Sequence, residues 1–369
     1  VDEVAALGRG GPRVKEFDHA LVLGKFYPPH AGHHHLISAA AARSERTTVT
    51  VLGSSCESLS ISDRVAWLRS AHADTPGVVV LGDLDDHPMD FHSDTVWELH
   101  VGVTRAVLGR RAMLDGDASK AAVDVVFSSE AYGDELAKRL DARHVLLDID
   151  RTAFPVSGTA VRADTRAHWH HLAPATQAGL ACRVVVVGAE SSGTTTLSRA
   201  LAEHFGAPWV PEYGRAHTEA KLVAAQAFSP GATVDDLVWT VGDFEDVAVR
   251  QQAWIDAAAT APLVVSDNDA WAASIWCQRY LGTAHPLPPG TPPHLYLLTD
   301  HDGVPFVQDG WRDGEHLRPW MTGLFASSLD ELGVPWVRMT GSFDERLARA
   351  VAVCEELLDR HFRYAPPKG

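Results

Sequence analysis

Short apolar runs, each about the length of one buried strand, recur along this chain with helix-length stretches between them. That rhythm constrains the fold more than any other feature. The first series is HALVLG (19–24), TVTVLG (48–53), VVVLGDL (78–84), DVVFSS (124–129) and HVLLDID (144–150). The runs are continuous rather than alternating and rich in β-branched residues, as strands covered on both faces require. Strand, helix-length segment, strand is the pattern of βαβ units and a parallel sheet. A second series begins at RVVVVG (183–188) and continues through PLVVSD (262–267), HLYLLTD (294–300) and PWVRMTG (335–341). Between the two series lies TRAHWHHLAPATQAGLACR (165–183), with no strand-like run. The expected fold class is α/β, with two parallel-sheet domains. The expected bounds are a tail at 1–18, a domain at 19–165, a linker at 166–181 and a domain at 182–369. A chain of 369 residues is the right length for two domains.

Composition narrows the function classes. The net charge of −16 argues against broad nucleic-acid binding, whose footprint is a basic surface. No stretch approaches the roughly 18 apolar residues of a transmembrane helix, and VDEVAALGRGGPR at the start has no signal-peptide core. Cys56, Cys182, Cys277 and Cys354 are widely separated and read as free thiols in a reducing compartment. The expectation is a soluble cytoplasmic protein without nucleic-acid or membrane partners.

Directly after the first strand comes GKFYPPHAGHHHLI (24–37). An H-x-G-H that opens a helix puts His30 and His33 at its N-terminus, where backbone N–H groups and the helix dipole already favour an anion. Both rings would donate to a polyphosphate, Gly32 would let the backbone come close, and Pro28 and Pro29 would stiffen the turn. Gly24, Lys25 and Phe26 lie in the same loop, and Lys25 is a further candidate phosphate contact. Downstream, FPVSGTAVR (154–162) sets Ser157 and Thr159 before a second helix with Arg162 one turn in. Hydroxyls, helix N–H groups and a guanidinium make a second anion cradle. His34, His35 and the HWHH run at 168–171 read as solvated or core histidines, since adjacent helix positions point in different directions.

GKFYPPHAGH and VSGTAVR resemble the paired signatures of the nucleotidyltransferase superfamily of adenylyltransferases. DVVFSSEAYGDELAKRL (124–140) and DIDRTAFPVSGTAVRAD (148–164) are closer still to the NadR-type bifunctional proteins. These join a nicotinamide-nucleotide adenylyltransferase to a ribosylnicotinamide kinase, and the resemblance runs over about residues 19–369. It implies a Rossmann-like first domain in which the phosphate of nicotinamide mononucleotide attacks the α-phosphorus of ATP, giving NAD and pyrophosphate. The nucleophile is already an anion, so positioning and charge neutralisation carry the catalysis. On this resemblance His30 and His33 hold the ATP phosphates near the reacting centre, and Ser157, Thr159 and Arg162 hold the departing ones, with Mg²⁺ bridging. Trp97 and His100 would meet the nicotinamide ring, although a core tryptophan also explains the first. Ser128, Ser129 and Glu130, following strand four, would contact adenosine. Adenylyltransferases of this kind are often multimers, which leaves a homo-oligomer open.

RVVVVGAESSGTTTLSRALAEHFG (183–206) reads strand, glycine-rich loop, helix, which is the context of a phosphate-binding P-loop. Gly188, Glu190, Ser191, Ser192, Gly193 and Thr196 belong to that loop or its helix start. Thr195 stands where a hydroxyl would ligate Mg²⁺. VVSDND (264–269) ends a strand in Asp267 and Asp269, candidates for the metal ligand and the base. A helix N-cap role for Asp269 is compatible with either. The NadR-type resemblance continues through VPEYGRAHTEAK (210–221), SDNDAWAASIWCQRYLG (266–282) and VQDGWRDGEHLR (307–318). It implies that Glu212, Tyr213 and Arg215 face ribosylnicotinamide, with Asp309, Arg312 and Arg318 on a lid over the phosphates.

Two residues depart from that pattern: Thr194 replaces the P-loop lysine, and Ala216 stands where an acidic residue often follows. Losing one preorganised donor to a transferred group costs on the order of 10²–10³ in rate. With six lysines against twenty-six arginines, a lid arginine or Lys221 is the expected replacement. Two readings of the second half follow: a ribosylnicotinamide kinase, or a nucleotide- or metabolite-sensing module fused to an active adenylyltransferase. A DNA-binding repressor is not expected. Some relatives carry an N-terminal helix-turn-helix, but here only 18 residues precede the first strand.

Overall fold

The computed structural model describes residues 15–90, 92–148, 150, 152–307 and 314–368. They form two compact units, one comprising the chain up to Gly179 together with residues from Arg363 onward, the other Leu180–Phe362. The first runs β1 (Phe17–Gly24), α1 (Ala31–Arg43), β2 (Ser44–Gly53), α2 (Ile61–Ala71), β3 (Val78–Leu84), α3 (Asp94–Leu114), β4 (Val125–Ser128), α4 (Tyr132–Arg139), β5 (Arg143–Leu146) and α5 (Gly158–Ala163). Helix α6 (Pro174–Leu180) leads to β6 (Cys182–Gly188), α7 (Thr194–Phe205), β7 (Trp209–Val210), α8 (Tyr213–Phe228), α9 (Val241–Ala257) and β8 (Leu263–Asp267). Then follow α10 (Ala270–Leu281), β9 (Leu295–Thr299), α11 (Arg318–Leu332), β10 (Trp336–Met339) and α12 (Phe343–His361).

Each unit holds one five-stranded sheet, in the orders β3-β2-β1-β4-β5 and β10-β9-β6-β8-β7. Every strand pair is parallel. The continuous apolar runs follow from cover on both faces. Along β6, Val184 and Val186 pack with Leu197 and Leu201 of α7, while Val185 and Val187 pack with Ile275 of α10 and Phe325 of α11. Along β1, Ala20 and Val22 meet α1 and α2 through Leu36 and Leu68, and Leu21 meets Val101 of α3. Local signals set the helix ends. Ser60 and Ser93 cap α2 and α3, and left-handed Gly206, Gly282 and Gly333 end α7, α10 and α11.

Three features depart from the sequence reading. β5 stops at Leu146 because Asp148 turns the chain: its Oδ1 accepts from Thr152 N at 2.7 Å and Ala153 N at 3.1 Å. β7 has only two residues, too short to stand out as an apolar run. Residues from Arg363 onward, expected in the 182–369 domain, group with the first unit instead. Tyr27 Oη donates to Ala365 O at 3.0 Å, Ala365 N to Ser58 Oγ at 2.7 Å, and the Tyr364 ring lies edge-on to Tyr27. All four cysteines are free thiols, and no helix among the described residues is long and apolar enough to cross a membrane.

Candidate functional site

In the first unit the strand order reverses at β1, with β2 on one side and β4 on the other. Ligands in open α/β sheets bind beyond the strand ends at such a point. A cavity of about 360 Å³ lies there. Gly24, Lys25, Phe26 and His33 line it from the loop after β1 and from α1. Ser157, Thr159 and Arg162 line it from α5, Trp97 from α3, and Ser129 and Glu130 from the end of β4. Two motifs more than 120 residues apart in sequence thus share one cavity.

Three expected residues stand behind that wall. His30 is buried as the N-cap of α1, its ring stacked on that of His33 with centroids 3.7 Å apart. Its backbone N donates to His33 Nδ1 at 3.3 Å. With Nδ1 accepting, the neutral His33 ring carries its proton on Nε2, leaving that atom as the donor. A Cβ at Gly32 would sit 3.3 Å from the His30 ring, so this glycine makes room for the stacked pair. Buried Ser128 Oγ donates to Glu130 O at 2.8 Å and meets His144 Nε2 at 2.8 Å, while His144 Nδ1 meets Asp134 Oδ1 at 2.5 Å. Ser128 fixes the turn that presents Ser129 and Glu130.

Arg162 is held in place by donating through Nη1 to Tyr27 O at 2.7 Å and through Nη2 to Thr159 Oγ1 at 3.3 Å. Lys25 Nζ donates to Lys368 O, and burial lowers the pKa of its amine, partly offset by the charge of Glu57. His100 was expected to bond a nicotinamide. Its Nδ1 lies 2.6 Å from Asp85 Oδ2 and its Nε2 3.1 Å from Pro88 O, so both nitrogens face protein acceptors.

Sequence reasoning missed Glu57 and Arg64. Both side chains are 0% exposed, and Arg64 Nη1 lies 2.8 Å from Glu57 Oε2 while donating to Lys25 O at 2.8 Å. Arg64 Nη2 and Glu57 Oε1 are buried without a hydrogen-bond partner, and Glu57 lines the cavity. Nothing in LGSSCESLSISDR marks the pair, because the carboxylate sits in a loop of ordinary polar composition.

In the second unit, β6 delivers the glycine-rich loop to α7 beside β8 and β9. Gly193 and Ser191 adopt positive φ, 92° and 57°, turning the loop sharply into the helix. A side chain at Gly188 would collide with Thr299 and Ser192. Ser192 Oγ is occupied by Ala189 O and Thr299 Oγ1, each at 2.7 Å, so it braces the loop from inside. Gly188, Glu190, Ser191, Thr194 and Thr195 line a cavity of about 140 Å³, joined by Glu212 and Arg215. Thr196 is exposed on α7 and does not line it.

Thr195 Oγ1 donates to Asp267 Oδ2 at 2.6 Å, while Asp267 Oδ1 is buried without a partner. A hydroxyl and an orphaned carboxylate oxygen beside a phosphate loop are a donor set that fits a hard divalent cation. Burial raises the pKa of Asp267, against the Thr195 and Thr194 hydroxyls and Arg215. Burial and then the Asp267 charge raise that of Glu212, with Arg215 opposing.

Several expectations for this unit need correction. Asp269, read as a catalytic group with an N-cap role compatible with it, uses Oδ1 for that cap through Ala272 N at 2.8 Å and Oδ2 to accept Tyr296 Oη at 2.5 Å, so both oxygens are engaged within the protein. Tyr213 does not line the cavity: it starts α8 against Trp254, ring centroids 4.9 Å apart, with its N donating to Gln251 Oε1 at 2.7 Å. Arg318 lies beneath the loop, Nη2 donating to the carbonyls of Ser191, His301 and Val304 at 2.9–3.1 Å. Lys221 pairs with Asp243 at 2.7 Å and does not reach the cavity. Asp309 and Arg312 lie outside the described residues. Unforeseen was an aromatic wall: the Trp239 ring is tilted 33° to Tyr280 and 30° to Phe244, with centroids 5.0 and 5.4 Å apart. Its only sequence trace is the aromatic spacing in VWTVGDFE and IWCQRY, which ordinary core packing also produces.

Residues 183–346 match the model of an AAA domain. The trifunctional NAD biosynthesis/regulator protein NadR of Escherichia coli K12 is 24% identical over 379 aligned positions, covering 95% of this chain and 86% of that protein. Its Salmonella typhimurium counterpart is also 24% identical, with the same coverage. Along nearly its whole length the chain resembles these NadR proteins. Two solved structures share its fold across both units. NadR protein in complex with NR aligns with a TM-score of 0.62 at 21% identity, over 93% of this chain and 96% of that one. NadR protein in complex with NAD and AMP-PNP aligns with a TM-score of 0.64 at 19% identity, over 94% and 97%.

Proposed function

We propose that this NadR-type chain catalyses the last step of NAD salvage in its first unit and carries a nucleoside-phosphorylating site in its second. The gathering of His33, Lys25, Ser157, Thr159 and Arg162 around one cavity with Trp97 carries the first assignment. A phosphate oxygen of nicotinamide mononucleotide attacks the α-phosphorus of ATP, and the bond to the β-phosphate oxygen breaks, releasing pyrophosphate and NAD. His33 Nε2 donates to the phosphate undergoing substitution. Arg162, fixed by Tyr27 O and Thr159, meets the departing phosphates, and Lys25 adds a cation beside the loop. His30 positions His33 through their stacking and the backbone hydrogen bond. A divalent cation accompanying ATP would supply further positive charge to these phosphates beside Lys25 and Arg162.

In the second unit the loop from Gly188 to Thr195 takes the ATP phosphates, with Thr195 and Asp267 as the groups that would hold Mg²⁺. A flat pyridine ring suits the Trp239–Tyr280–Phe244 wall, and Glu212, beside Arg215 in the same lining, would face the ribose of ribosylnicotinamide. Among the described residues, Arg215 is the cation lining this cavity that would stand in for a P-loop lysine. A second reading, a nucleotide-sensing module, is favoured by Thr194 alone. Free cysteines suit a cytoplasmic setting.

A coupled-product assay with Mg²⁺-ATP separates these readings. One tube receives nicotinamide mononucleotide and the other ribosylnicotinamide. NAD in both supports two active sites, and NAD only in the first supports the sensing module. No NAD in either tube from folded protein removes the adenylyltransferase assignment.

A further inference from the structure

Where β3 ends, Asp85 enters the wall of the first unit's cavity and two imidazoles converge on it. His87 Nδ1 lies 2.9 Å from Asp85 Oδ1, and His100 Nδ1 lies 2.6 Å from Oδ2. All three residues line the cavity. Their ligand atoms lie within 4.8 Å of one another, compact enough for one ion. His100 Nε2 also faces Pro88 O at 3.1 Å, which orients the ring with Nδ1 toward the carboxylate. The Asp85 side chain is only 9% exposed, so water screens the arrangement little.

We infer that Asp85, His87 and His100 form a binding site for one divalent cation of the zinc–cobalt class, with a coordination position open to the cavity. Two imidazoles and one carboxylate suit borderline cations, whereas Mg²⁺ prefers oxygen ligands alone. The comparable group Asp300, His301 and Asp302 lacks this availability, because Arg338 Nε already donates to Asp300 Oδ2 at 2.6 Å. The adenylyl-transfer reading does not depend on the site, so the test follows metal rather than turnover.

The full chain, stripped with chelator, is titrated with Co²⁺ in excess Mg²⁺ while visible absorption is recorded. One equivalent should produce the intense d–d bands of four-coordinate cobalt. His87→Ala removes the most exposed ligand, 37% accessible, and should weaken binding at least about tenfold without disturbing the fold. His100→Gln should abolish the bands with far-ultraviolet circular dichroism unchanged. His170→Ala, in the exposed histidine run elsewhere, should leave them intact. Absence of four-coordinate bands in the wild-type chain, or equal affinity in His87→Ala, overturns the site.

Discussion

One backbone hydrogen bond decides which nitrogen of His33 can donate into the cavity it lines. Because His30 N occupies Nδ1, the donor is Nε2, and that distinguishes two substitutions. Glutamine can place an N–H near the Nε2 position, and alanine cannot. His33→Ala should lower adenylyl transfer on the order of 10²–10³, with His33→Gln retaining part of the rate; steady-state NAD formation measures both. Equal losses would mean that His33 acts through packing on His30 rather than through its donor. Glu57 and Arg64 make a different kind of prediction. Removing one member of a buried ion pair leaves an uncompensated charge and costs about 3–5 kcal/mol, whereas replacing both by apolar residues can be neutral. Arg64→Met should destabilise the first unit by about that amount, and Arg64→Met with Glu57→Leu should recover most of it in urea unfolding.

Elements show where sequence reading works and where it stops. A run such as RVVVVG is legible because its surroundings on both faces are apolar, so composition alone marks the strand. The H-x-G-H and S-x-T-x-x-R motifs are legible because helix starts and residue types are local properties. The direction of a side chain at an element's edge is not local. Asp267 and Asp269 look equivalent in VVSDND, yet the positive φ of Asn268, 66°, separates them: one joins Thr195 and the other turns to Tyr296 and the α10 cap. The same holds for Tyr213, which packs on Trp254, and Arg318, which reaches under the phosphate loop. The segment after α12 is the extreme case, since no periodicity tells that residues 363–368 reach a loop more than 300 residues earlier. That segment clamps the β1–α1 loop through Tyr27 and the β2–α2 loop through Ser58. Deleting it removes several hydrogen bonds of about 1 kcal/mol each. Hydrogen exchange should then accelerate at the amides around Tyr27 and Ser58 while those of β6 stay protected. Unchanged exchange at Ser58 would show that the clamp contributes nothing to the loop's order.

Across the whole molecule, burial of titratable groups gives the two units different responses to pH. In the first, burial pushes His19 and His34 down to about 4. A histidine whose folded pKa is depressed contributes stability that is complete above its unfolded value near 6.5 and is lost as pH falls toward the folded value. His19, 1% exposed and bonded to Ala122 O and Thr48, contributes up to about 3 kcal/mol of this effect. In the second unit His294 acts in the same direction, also pushed down to about 4. Glu212 and Asp267 oppose it, because burial raises both. A carboxyl with a raised folded pKa stabilises while protonated, and that stability is lost as pH climbs from the ordinary carboxylate range toward neutrality and beyond. The first unit should therefore weaken steadily between about pH 6.5 and 4, while the second changes less over that range and loses stability toward pH 8. Glu212→Gln removes one of the competing charges, so it should protect the second unit at pH 8 and have little effect at pH 5. Hydrogen exchange followed peptide by peptide reports each unit separately. If Glu212→Gln leaves the amides of β6 and β8 equally protected at pH 8, the carboxylate pair is not under electrostatic strain.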